Sequence, residues 1–170
     1  MKIGRTEKRT HVARHAEAAI LFNVGPYKFA ISATDVEEIR HMDGLTQTTV
    51  PVGAPVQKVR FTMQRDRSKY SVVDASIYFR MLPSKPTRVL VLRRSMAALT
   101  ADSIERMIDI SSMVPLPVAF RGEERKWFRG LAILDDLVVP VVNPDAVLSD
   151  VEEAVTSTGK TQVAIPGARI

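Results

Sequence analysis

Two apolar runs meet at a pair of aspartates: Gly130-Leu131-Ala132-Ile133-Leu134, then Asp135-Asp136, then Leu137-Val138-Val139-Pro140-Val141-Val142. Two short polar residues between two such runs specify a tight β-hairpin. Pro140 cannot donate to a ladder, which places its strand at an edge or a bulge. The same grammar recurs along the chain. Ala19 to Val24 is an apolar run, Gly25-Pro26 is a turn signal, and Tyr27 to Ile31 alternates with Tyr27, Phe29 and Ile31 on one face. Ser32-Ala33-Thr34-Asp35 suits one helical turn, and Val36-Glu37-Glu38-Ile39 leads on as an extended run. Further strands are expected at Val56 to Met63, Tyr70 to Asp74, Arg88 to Leu92 and Ile104 to Ile110. One helix is predicted. Asn143 can cap it, Pro144 suits its first position, and Asp145 suits its positive end. Val147, Leu148, Val151, Ala154 and Val155 share a face at helical spacing.

Many short strands with frequent turns point to a mainly β fold of the barrel or sandwich type. Residues 1–16 form a basic tail of net charge +4, without hydrophobic period. The folded region is expected over 17–148, with its helix ending near 156 and a second tail at 157–170. Halves of 60–65 residues bury only about 60% of their surface, so two lobes should pack together. Pro83-Ser84-Lys85-Pro86 marks the expected join, giving lobes at roughly 17–84 and 85–148.

The charge balance excludes more than it suggests. The chain carries +5 overall, but residues 17–148 carry only +2. A near-balanced folded part argues against a phosphate-tracking surface. Cysteine is absent, which removes disulfides, thiolate metal sites and cysteine nucleophiles. No apolar stretch approaches the about 20 residues of a spanning helix, and no apolar run follows the basic N-terminus as a secretory signal requires. The expected place is the cytoplasm.

No catalytic constellation is apparent. His11 and His15 have helical spacing but no third ligand, and His41 reads as a surface or turn residue. Phosphate loops and dinucleotide fingerprints are missing. Glu37-Glu38, Glu123-Glu124 and Asp135-Asp136 are adjacent carboxylates, which on a strand point to opposite sides. Arg60, Arg65, Arg67 and Lys69 with Phe61 and Tyr70 resemble a single-strand-binding surface, although Asp66 interrupts them and a solvated or protein-docking edge fits better. Trp127 is expected in the core. The expectation is a protein without catalysis, cofactor or metal.

Seven segments, in order, resemble the CheW-like chemotaxis coupling domains. Ile20-Leu21-Phe22-Asn23-Val24-Gly25 through Ile31 resembles their opening hairpin. Val36-Glu37-Glu38-Ile39 resembles their "V-x-E-I" segment, and Leu45-Thr46 with Val50-Pro51 their "L-T…V-P". Ser71-Val72-Val73-Asp74 resembles a "P-V-x-D-L" strand. Arg88 to Leu92, Ala101 to Met107 and Gly130 to Asp136 resemble the second-lobe strand, the "V-D-x-V" element and the "G-x-a-x-l-d-d" hairpin. The resemblance covers roughly residues 18–148. It implies two packed SH3-like five-stranded β-barrels with a C-terminal helix.

It also implies a non-catalytic adaptor that joins the signalling tips of methyl-accepting chemoreceptors to the regulatory domain of a CheA-like histidine kinase. That kinase domain shares the fold, so the partners alternate in rings. Receptor tips would dock at a groove including Val36, Glu38 and Ile39; Val36 and Ile39 also read as core, Ile39 at least as readily as contact. Arg60, Arg65 and Arg67 would belong to a kinase or partner surface. Neither nucleic acid nor membrane insertion is expected. One departure stands out. The family's "G-x-x-N-L-R-G" is replaced by residues 59–68, without either glycine or the Asn-Leu pair. Glycine there permits a turn that other side chains disfavour, so the loop should differ, which bears on partner identity more than on fold. The alternatives are a related scaffold in another two-component or motility pathway, and a nucleic-acid-binding barrel.

Overall fold

The computed structural model describes residues 16–48 and 58–161. Among these residues twelve strands form two six-stranded sheets. The chain starts with β1 (Glu17–Val24) and β2 (Tyr27–Ser32), which pair as a hairpin across Gly25-Pro26. A 3-10 turn at Ala33–Asp35 then carries it into the other sheet. There follow β3 (Val36–His41), β4 (Thr46–Gln47), β5 (Val59–Arg65), β6 (Ser68–Val73), helix α1 (Ala75–Tyr78), β7 (Arg88–Leu92) and β8 (Ala97–Ala101). At Asp102 the chain returns to the first sheet as β9 (Ser103–Ile110), β10 (Met113–Val114), helix α2 (Glu124–Trp127), β11 (Phe128–Leu134), β12 (Leu137–Val142) and helix α3 (Pro144–Thr161).

Lobe A therefore has the order β10-β11-β12-β2-β1-β9, and lobe B the order β4-β5-β6-β8-β7-β3. This corrects the division expected at 84/85. Pro83 to Pro86 is a loop inside lobe B, because β7 pairs with β3 and β8. Lobe B is continuous, whereas lobe A is assembled from the two ends of the described chain. Five longer strands and one two-residue strand make each sheet.

The two orders are the same path in different sequence phase. Each lobe has one parallel pairing, β6 with β8 and β12 with β2. Val72 opposes Ala98 as Val141 opposes Ala30, and Val91 opposes Ala98 as Leu21 opposes Ala30. Followed one strand further, Glu38 corresponds to Arg106, Ile39 to Met107 and His41 to Asp109. On the hairpins, Gln64 corresponds to Ile133, Arg65 to Leu134, and the Asp66-Arg67 turn to Asp135-Asp136.

Three cores hold this arrangement. One lies inside lobe A (Leu21, Ile108, Val139, Val141), and one inside lobe B (Met63, Tyr70, Val72, Val89, Val91). The largest lies between the lobes. Alternate residues of β1, β2, β7 and β8 serve it, so these strands are buried on both faces over most of their length. Phe29 stacks on Phe79 at 4.8 Å and on Phe128 at 6.0 Å, and Trp127 is buried beside them. Asp74 caps α1, its Oδ1 accepting from the Ser76 N–H at 3.0 Å and the Ser76 hydroxyl at 2.7 Å. Asn143 caps α3 as expected, accepting from the Asp145 N–H at 3.2 Å. Val147 and Val151 bury in the inter-lobe core, while Val155 is exposed and the helix continues to Thr161. Pro140 is neither at an edge nor at the register shift of its hairpin. It sits inside the sheet, where the parallel ladder to β2 has the one bridged pair Val141 with Ala30, so a missing donor costs little.

Candidate functional site

β3 ends the lobe B sheet, and barrel closure brings it beside the β5–β6 hairpin. The ladder along β3 shifts register between Val36 and Glu38. A bulge of this kind re-aims side chains. Here it defeats the expectation that Glu37 and Glu38 point apart. Both reach Arg65, the last residue of β5, Glu38 Oε2 at 2.9 Å from Nε and Glu37 Oε1 at 3.3 Å from Nη2. Arg65 Nη1 donates to the Tyr70 hydroxyl at 3.1 Å, and its guanidinium lies 5.7 Å from the Tyr70 ring centre. These acceptors, Glu38 first, push the Arg65 pKa further above its ordinary value. Arg40 adds a second cation, its Nε 3.3 Å from Glu38 Oε1 and its Nη1 donating to the Gln64 carbonyl at 3.4 Å.

The result is an ion-paired rim across the β3–β5 gap. Beside it lies a groove of about 380 Å³ lined by Arg40, His41, Asp43, Gly44, Met63 and Gln64. Planar guanidinium forks fixed by carboxylates present directional donors and acceptors, which suits recognition of another protein surface.

The residues expected at the receptor groove divide. Val36 is 6% exposed and belongs to the inter-lobe core. Ile39 is 40% exposed, and Glu38 is half-buried. The expected arginine set also divides. Arg65 joins Glu38 directly, so the two groups assigned to different partners form one feature. Arg67 is exposed in the hairpin turn, beside Asp66 at φ 54°. Arg60 lies at the other end of β5, about 17 Å from Arg65 at strand rise, at a second register shift. The arginines therefore do not line one phosphate track. Tyr70 was weighed with the arginines and Glu37 as half of an acidic doublet, but neither was linked to Glu38 and Arg65, and Arg40 and Gln64 carried no signal in the sequence. His41 is exposed, its Nδ1 3.0 Å from Arg88 Nη1. His11 and His15, and Val50-Pro51, lie outside the described residues. No helix among the described residues is long and apolar enough to cross a membrane.

A two-lobed β fold with an ion-paired rim and a buried inter-lobe seam defines the class. The CheW-like domain model matches residues 18–152, and the chain belongs to that family. A probable chemotaxis protein CheW of Rhizobium etli is 24% identical over 140 residues, covering 78% of this chain and 88% of that protein. The crystal structure of the scaffolding protein TtCheW from Thermoanaerobacter tengcongensis superposes with a TM-score of 0.64 at 17% identity, covering 75% of this chain and 89% of that one.

Proposed function

We propose that this chain is a non-catalytic coupling adaptor of bacterial chemotaxis, joining methyl-accepting receptor tips to the regulatory domain of a CheA-like histidine kinase in the cytoplasm. The family match over residues 18–152 carries this reading. The lobe B rim supports it with a place for docking. Receptor tips take Glu38 and Ile39, an acceptor beside an exposed apolar side chain. The kinase domain takes the hairpin side, at Arg65 and Arg67, with Arg60 at its far end. Because Glu38 and Arg65 share an ion pair, the two docking surfaces are continuous, and binding of one partner biases the other. The 59–71 segment, with its Arg65-Asp66-Arg67 tip, favours a second reading in which a different kinase of another two-component pathway replaces the usual one.

Co-sedimentation of the full chain with receptor signalling tips and kinase tests the proposal. The wild type should enter the pellet at micromolar protein, and Glu38→Lys should bind at least tenfold more weakly while keeping its melting temperature. Absence of the wild type from the pellet would remove the coupling function. Equal binding by Glu38→Lys would remove only the assigned surface.

A further inference from the structure

The two lobes fill their equivalent gaps differently. In lobe B, Arg65 bridges the gap to Glu37 and Glu38. In lobe A the corresponding positions are Arg106 and Leu134, and among the described residues no ion pair crosses from β9 to the β11–β12 hairpin. A groove of about 400 Å³ remains there. Met107 and Ile133 line it, 57% and 40% exposed. Asp109, Asp135 and Asp136 also line it against the single cation Arg106. None of these three exposed carboxylates has an ion-pair partner among the described residues.

The chain enters the fold at this same groove. Ala18, the second residue of β1, lines it. Before it, residues 1–15 carry Lys2, Arg5, Lys8, Arg9 and Arg14 against Glu7, a net +4. Fifteen extended residues reach about 50 Å, and β9 spans about 26 Å, so the segment is long enough to follow the groove from end to end. Opposite charges held this close by the chain itself meet at high effective concentration.

We infer that residues 1–15 dock in cis in the groove between β9 and the β11–β12 hairpin. Their basic side chains bridge Asp109, Asp135 and Asp136, as Arg65 bridges the glutamates of lobe B. Ile3 or Val12 covers Met107 and Ile133. The N-terminal segment thus covers the lobe A rim and leaves the lobe B rim open. The inference stands whether or not the coupling function does.

The absence of cysteine makes the test clean. A nitroxide placed on the full chain by Thr10→Cys should broaden the amide signals of Met107, Ile133 and Asp136, and spare those of Ile39 and Gln64. The broadening should be unchanged on tenfold dilution. It should fade as salt rises from about 0.05 to 0.5 M, since screening shortens from about 10 Å at 0.1 M to about 3 Å at 1 M. It should be lost in the Asp109→Asn/Asp136→Asn variant. No selective broadening would overturn the inference. Broadening that disappears on dilution would also overturn it, by showing the segment on a second copy.

Discussion

Lobe A and lobe B follow one strand path, yet they close it with opposite chemistry. In lobe B, charged residues of β3 and β5 meet across the gap, and Arg65 is held by two carboxylates and a phenol. In lobe A, the matching positions carry Arg106 and Leu134, the turn aspartates stay exposed, and the ion pairs sit elsewhere. Glu17 pairs with Arg129, and Glu105 with Lys28. The backbone sets where a rim can form, because strand order and register place equivalent side chains at equivalent points. Which gap is bridged by its own ion pairs and which is not is decided by a few side chains. A duplicated geometry can thus offer two different surfaces.

The deepest shared element is the seam between the lobes. Truncating Phe29→Ala removes a ring stacked on Phe79 and Phe128 and should cost about 3–5 kcal/mol. Denaturant melts should still show one transition by tryptophan fluorescence and circular dichroism. Two separated transitions would mean that the lobes are stable alone. Gly130 sharpens the contrast between hairpins. Its lobe B counterpart is Phe61, but in lobe A a Cβ at 130 would lie 2.6 Å from the Val114 carbonyl oxygen. Gly130→Ala should cost about 1–3 kcal/mol by forcing β10 away, read as faster amide exchange at Ala132. The helix caps differ by less. Asp74→Ala should cost about 1–2 kcal/mol, and Asn143→Ala about 0.5–1 kcal/mol, because Asp74 accepts more bonds on a mostly buried helix. Equal losses in thermal melts would remove that distinction.

The smallest effect is expected from acid, and it should fall on lobe A. The Arg129 hydrogen bond holds the Glu17 carboxyl below its ordinary 4.5, and the Lys28 hydrogen bond does the same for Glu105. A carboxyl depressed by folding stabilises the native state above its unfolded pKa. That contribution is lost as pH falls through the lowered value. Both pairs join strands of lobe A, β1 to β11 and β2 to β9. Amide exchange in β1 and β9 should therefore quicken below about pH 4.5 sooner than in β7. Faster loss in β7 would contradict this.

Local signals were legible and pairings were not. Arg88 to Leu92 is a strand from its unbroken β-branched and leucine run, the 130–142 hairpin follows from its aspartate turn, and α3 starts where Asn143, Pro144 and Asp145 place it. β8 escaped notice because Ala97-Ala98-Leu99-Thr100-Ala101 is rich in alanine, a weak strand former. All five residues are buried, and small side chains fit a strand pressed from both sides. The lobe boundary was misread because prolines report a local loop, whereas lobe membership depends on hydrogen bonds to distant strands. Glu38 and Arg65 were each named, but their union spans 27 positions and needs both the bulge and barrel closure. The family resemblance supplied those names; the spacing of the residues did not.

The sharpest test is a footprint. Amide hydrogen exchange of the full chain, with and without receptor signalling tips, compares the two equivalent rims in one experiment. Protection should appear at Glu38, Ile39 and Arg65 in lobe B, and be absent at Met107, Ile133 and Leu134 in lobe A. Protection confined to the lobe A positions would contradict the assignment of the ion-paired rim as the docking surface.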